Sequence, residues 1–324
     1  MSEKEQRLLD PGLLPETLWD AASETLRLPP AIARAYRTLI ERHGLQELAE
    51  AGGEKDSPVG GANRQETDKH FAQRFSTSVA RAQLAVIDPK REVSRASNAF
   101  IQTLSGNHLC VTDAPCGAGA AAFAFLTTIA ELRACDVVPR QPLNVHLIGA
   151  EISDKARDYA AEILAELRPL LEAQAIFIEA EFFPWDIIKR LSNTDLIYQM
   201  NCASVGNPKC LVVVANISGF LEKKEKRKAA QPQIEELFRY ASGTDSVAIW
   251  IEPQMNKAIA VGGIFSGIMR WIKESWHQYV RVNTDGDNPN PVLLSDCQFQ
   301  SPLNPAKTHP VRLAVMRLDL VRSA

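Results

Sequence analysis

Between residues 109 and 277 short apolar runs alternate with stretches of helical period, and no other feature of the chain narrows its fold so far. The runs Leu109–Asp113, Val145–Glu151, Ile176–Glu181, Leu211–Asn216 and Val247–Glu252 read as strands. The stretches near 119–135, 154–172, 185–192, 231–242 and 264–277 read as helices, with Pro169 expected to kink or end the second. Strands that alternate with helices in this order pair in parallel and are covered on both faces. Val292–Phe299 and Val311–Leu320 follow with no helix between them, joined by Ser301-Pro302 and a Pro-rich turn, so they read as a closing antiparallel pair. The expected fold class is α/β: a doubly wound seven-stranded sheet with an antiparallel last strand, preceded by an α-helical N-terminal region.

That region is expected to be helical throughout. Leu14, Leu18, Ala22 and Leu26 recur at helical spacing before Pro29-Pro30, and Ile32, Tyr36, Leu39 and Ile40 mark a second helix. Phe71, Phe75, Val79 and Val86 lie on one face of a third helix that ends near Asp88-Pro89, and a fourth is expected near 94–104. The glycine pairs from Gly52-Gly53 to Gly60-Gly61 read as a linker at about 52–64. The expected organisation is a helical lid or substrate region over 1–105 and a catalytic domain over 106–324.

With 36 Lys+Arg against 39 Asp+Glu among 324 residues, the net charge is −3. This excludes the strongly basic footprint of a DNA-coating protein while leaving room for a local basic patch. No apolar run approaches the ~20 residues that span a bilayer, and the charged start lacks an apolar segment behind it, so a cytoplasmic protein with no membrane contact is expected. The six cysteines form no C-x-x-C pair and the six histidines no H-E-x-x-H, so no metal site is expected.

Open α/β sheets bind ligands beyond the carboxyl ends of their strands. The first strand runs into Asp113-Ala-Pro115-Cys116-Gly117-Ala-Gly119. Two glycines let backbone approach a ligand closely, but the third glycine of a pyrophosphate cradle is missing. Asp113 would repel pyrophosphate and suits a ligand carrying ammonium or sulfonium charge. Glu151, followed by Ile152, ends the second strand and is placed to accept both hydroxyls of a ribose. Asp186 is placed to accept from an adenine amino group, with the ring of Trp185 beside it. Asn216 and Glu252 end the fourth and fifth strands and are the candidate catalytic residues, to position an acceptor or take its proton.

Together these residues resemble class I S-adenosylmethionine-dependent methyltransferases over residues 109–320. The resemblance implies S-adenosylmethionine as cofactor, bound by Asp113, Pro115, Cys116, Gly117, Gly119, Glu151, Ile152, Trp185 and Asp186, on a Rossmann-like domain. Members that methylate base amines often carry Asn/Asp-Pro-Pro-aromatic at the fourth strand. Here Asn216-Ile-Ser-Gly-Phe220 lacks the prolines, which argues against that chemistry. Five bases and two acids fill Glu222–Lys228 just past this strand. Lys223 and Lys224 within it, with Arg74 and Arg81 on the third helix, are candidate substrate contacts around the site. The expected function is methyl transfer, with the acceptor leaning toward nucleic acid or another macromolecule. The alternative is a methyltransferase-like binding or scaffold module with little or no turnover. Oligomeric state is left open.

Overall fold

The computed structural model describes residues 7–51, 63–204, 209–243, 245–254, 263–282 and 291–321. The linker expected near 52–64 lies outside the described residues except for its last two positions. In chain order the elements are β1 (Trp19–Asp20), β2 (Thr25–Leu26), α1 (Pro30–Arg42), α2 (Gln46–Glu50), α3 (Arg64–Ile87) and α4 (Ser94–Gln102). Then come β3 (His108–Asp113), α5 (Ala120–Ala134), β4 (Leu143–Ala150), α6 (Asp154–Ala173), β5 (Ile176–Phe183) and α7 (Arg190–Ala203). The remainder is β6 (Lys209–Ala215), α8 (Ser218–Leu221), α9 (Lys224–Ala241), β7 (Ser246–Pro253), α10 (Ile264–Trp271), β8 (Val280–Val282), β9 (Val292–Gln300) and β10 (Thr308–Leu320).

One sheet holds all ten of these strands, in the order β1-β2-β9-β10-β7-β6-β3-β4-β5, with β8 also paired to β10. The seven expected strands are all present. The expected count is corrected by three short additions, all on the β9 side of β10. β3 through β7 pair in parallel, and β10 runs antiparallel to β7 with Val315 opposite Ile251. Because β3 has β4 on one side and β6 on the other, the strand order reverses at β3. That is where a doubly wound sheet opens a crevice.

Alternate residues of each strand feed two cores, as the two-residue period of a strand requires. Val111, Leu147, Val213 and Ile249 pack under α1, α3, α4, α5 and α6. Cys110, Ile148, Val212 and Trp250 pack under α7, α9 and α10, with Trp271, Trp276 and Tyr279 buried among them. The helices before β3 therefore share a core with the sheet.

Local chemistry corrects several expected helices. Residues 14–26 form no helix: the Asp20 carboxylate accepts the N–H groups of Ala22 and Ser23, Glu24 adopts a left-handed φ of 47°, and the turn pairs β1 with β2. The helix expected at 185–192 starts at Arg190, because Pro184 precedes an irregular turn in which Asp186 accepts the Ile188 N–H. α9 starts at Lys224, earlier than 231, and places the basic run on its first turns. α6 continues past Pro169 to Ala173. No helix among the described residues is long and apolar enough to cross a membrane.

Candidate functional site

The loop after β3 needs left-handed backbone at Gly117 (φ 54°) and Gly119 (φ 80°). The two glycines serve different ends. A Cβ on Gly119 would lie 2.3 Å from the ring of Phe123, so this glycine lets α5 start against its own first turn. A Cβ on Gly117 would meet nothing within 4 Å, and Gly117 lines a cleft enclosing about 200 Å³. Pro115 and Cys116 line it too. Burial and the nearby Asp113 and Glu151 charges push the Cys116 thiol well up, so it packs as a neutral group.

Asp113 reaches this cleft from the end of β3 with one oxygen committed and one not. Its Oδ2 accepts the Ala122 N–H at 3.2 Å, in the first turn of α5, while buried Oδ1 has no hydrogen-bond partner among the described residues. Burial, with a contribution from the Glu151 charge, pushes the Asp113 carboxyl up to about 7. Glu151, at the end of β4, accepts the Gly117 N–H at 3.0 Å through Oε2 and the Ser153 N–H at 2.9 Å through Oε1. Burial raises its pKa, and those backbone donors oppose the rise. Ile152 lines the cleft beside it.

From β5, Trp185 presents a buried ring to the cleft, and Asp186 stands at its rim in an ion pair with Lys189 at 3.4 Å. From β6 comes Asn216, left-handed at φ 57°, with its backbone N–H donating to the Ile251 carbonyl at 3.0 Å. Ile217 and Phe220 complete this end.

Six expected site residues lie outside the cleft lining. Glu252 is fully buried and outside the cleft lining. It accepts the N–H groups of Ile217 and Ser218 and the Trp250 indole at 2.9 Å, so it shapes the turn after β6. Arg81 is also buried, donating to Asn216 Oδ1 at 2.6 Å and to the Arg312 carbonyl at 3.1 Å, and burial lowers its pKa to about 10. It is expected from the sequence among the substrate contacts around the site, and these partners draw its guanidinium inward. Arg74 is half-buried and lies outside the cleft lining, as does Gly119. Lys223 and Lys224 are exposed at the start of α9, where the neighbouring Lys226 ammonium sits 4.2 Å from the centre of the Phe220 ring.

The sequence offers a helical lid over 1–105 but does not name the residues that form the roof of the cleft as site residues. That roof is one face of α3: Thr67, His70, Phe71, Phe75 and Ser78. Thr67 Oγ lies 3.1 Å from Ser153 Oγ beyond β4, and eleven residues later Ser78 Oγ lies 3.4 Å from Asn216 Nδ2 beyond β6, so α3 bridges the strand ends. Tyr159 of α6 lines the same space. Its ring stacks on Phe71 at 4.2 Å and its hydroxyl donates to Asp68 at 2.5 Å. Burial, then the charge of Arg74, lowers the pKa of His70. The Phe71/Phe75 stripe was the available signal, but core and roof share that pattern. Among the described residues no group of three or more His, Cys, Asp or Glu is placed to hold a metal ion.

No family model and no curated protein matches the chain. Solved structures do. A Listeria monocytogenes protein assigned to the class I S-adenosylmethionine-dependent methyltransferases is 11% identical, covering 90% of this chain and 79% of its own, at TM-score 0.38. The Geobacter metallireducens precorrin-6y C5,15-methyltransferase is 10% identical, covering 69% and 88%, at TM-score 0.33. The glycopeptide N-methyltransferase MtfA, complexed with sinefungin, is 10% identical, covering 71% of each chain, at TM-score 0.28.

Proposed function

We propose that this chain is an S-adenosylmethionine-dependent methyltransferase. The observation that carries the reading is the buried, unpartnered Oδ1 of Asp113 at the mouth of a glycine turn that a backbone-hugging ligand can approach. A cationic or N–H-bearing group there would satisfy the oxygen and hold the carboxyl ionised. Glu151 stands one strand over to receive ribose hydroxyls, Trp185 and Ile152 supply apolar faces for a ring, and Asp186 lies at the rim near it. When bound, the cofactor supplies an activated methyl group on a sulfonium that is its own leaving group. The chain's task is then to align the acceptor, and orientation of this kind supplies ~7–11 kcal/mol of a barrier.

The acceptor enters at the Asn216–Phe220 end. Exposed Lys223, Lys224 and Lys228 beside it support a phosphate-bearing or otherwise acidic macromolecular acceptor. One observation favours the second reading, a binding module without turnover: Glu252 is withdrawn from the cleft as a proton acceptor. Six free cysteines suit a cytoplasmic setting.

Thermal unfolding tests the cofactor. S-adenosylhomocysteine at ~100 times its Kd is expected to stabilise the protein by about 2.7 kcal/mol. Gly117→Val, which puts a branched side chain on left-handed backbone beside the cleft, is expected to fold with a loss of about 1–3 kcal/mol and to lose that response. A response to NADH and none to S-adenosylhomocysteine overturns the proposal.

A further inference from the structure

The hydrogen bonds around Asn216 settle which way its amide faces. A guanidinium carries five donors and no acceptor, so the Asn216 atom 2.6 Å from Arg81 Nη1 is its carbonyl oxygen. Arg81 itself cannot swing away cheaply. It is buried, its Nε is bound to the Arg312 carbonyl, and the Glu252 charge behind it favours the charged guanidinium. The Asn216 backbone is held by its N–H bond to the Ile251 carbonyl, and the side-chain amide by Arg81. The Asn216 Nδ2 therefore stands on the other side, with Ser78 Oγ at 3.4 Å, the long end of the hydrogen-bond range. A closer oxygen in the cleft would take that donor over. Phe75, Ile217 and Phe220 surround this end with apolar surface, and the Lys226 ammonium lies over the outer ring.

We propose that Asn216 selects the methyl acceptor by donating from Nδ2 to one of its oxygens, and that Arg81 is the positioning residue that sets this polarity. This rests on the methyltransferase reading and deepens it. The acceptor is a planar or apolar group bearing a carbonyl or carboxylate oxygen near the methylated atom. A site built to hold an amine would turn the Asn216 oxygen toward it, and here a buried cation takes one of that oxygen's two lone pairs and holds the oxygen on the Arg81 side.

Benzoate and benzylamine, alike in ring and opposite in polar group, are suitable probes. They would be titrated into the protein saturated with S-adenosylhomocysteine, and also into the free protein. The side-chain amide signals of Asn216, identified by their loss in Asn216→Ser, report contact. Benzoate is expected to shift them and to bind about tenfold more tightly than benzylamine. Asn216→Asp keeps an oxygen for Arg81 and removes the donor, so the preference should invert. Arg81→Met frees the amide to turn, so the ratio should fall toward one with S-adenosylhomocysteine affinity retained, and Arg81→Lys should restore part of it. Tighter benzylamine binding, silence of the Asn216 signals with both probes, or a preference that survives Asn216→Asp overturns the proposal. Failure of the methyltransferase reading looks different: S-adenosylhomocysteine would not bind, while the probe preference of the free protein still decides the role of Asn216.

Discussion

Under the proposed reading, Asp113 would tie proton binding to ligand binding. Its folded-state pKa stands near 7 against an ordinary 3.8, so between those values the folded chain holds more protons than the unfolded one. Stability from this group is greatest at low pH and falls as pH rises through that window, and the raised Glu151 and Glu252 add with the same sign. A cation at Oδ1 favours the carboxylate, so S-adenosylmethionine binding near pH 6.5 is expected to expel protons. Calorimetry in two buffers of different ionisation enthalpy measures this directly. Asp113→Asn should abolish the release, weaken binding and make the unliganded protein more stable at pH 8. Binding by the parent with no proton released would show that Oδ1 does not meet the ligand.

α3 contributes as an element. It is capped by Asn63, whose side chain accepts the Glu66 N–H at 2.9 Å, and it ends at left-handed Asp88. In between, Phe71 packs edge-on against Tyr36 at 5.5 Å as well as flat on Tyr159, so one ring joins α1, α3 and α6 at the roof. Phe71→Ala is expected to cost about 3–5 kcal/mol in urea unfolding and to weaken S-adenosylhomocysteine binding, since Tyr159 loses the ring that holds it. Phe177, 46% exposed on β5, is the control, and its replacement by Ala should stay within about 0.5 kcal/mol. Equal losses in both variants would remove α3 as the fixed roof.

For the whole molecule the question is how charge is distributed. A net charge of −3 opposes nucleic-acid binding unless the bases are segregated; Lys223, Lys224 and Lys228 lie together at the exposed start of α9, with Glu222 and Glu225 among them. If the acceptor is a nucleic acid, binding should weaken with salt by roughly 0.7–0.9 in log–log slope per phosphate contacted. Replacing these three lysines with Gln should flatten the slope and spare cofactor affinity. No binding by the parent at low salt, or an unchanged slope, would assign α9 to solvent and the site to a small molecule.

The strands, the parallel order and the strand-end residues Asp113, Gly117, Glu151, Trp185 and Asn216 were legible because their signals are local. A strand declares itself through its own apolar residues, and a strand-to-helix turn through its own glycines. Glu252 ends a strand just as Glu151 does, yet one is sealed behind the β6 turn and the other lines the cleft. The difference comes from Trp250 and the backbone of Ile217 and Ser218, some of it 35 residues away. Arg81 and Ser78 share a helix, and only contact with Asn216 and Arg312 separates the buried cation from the roof hydroxyl. The three added strands likewise exist through partners on β9, β10 or each other, as β2 does where Leu26 pairs with Phe299. Periodicity specifies which face of an element is apolar. What that face meets is set by chain brought together from far along the sequence, and no local pattern encodes it.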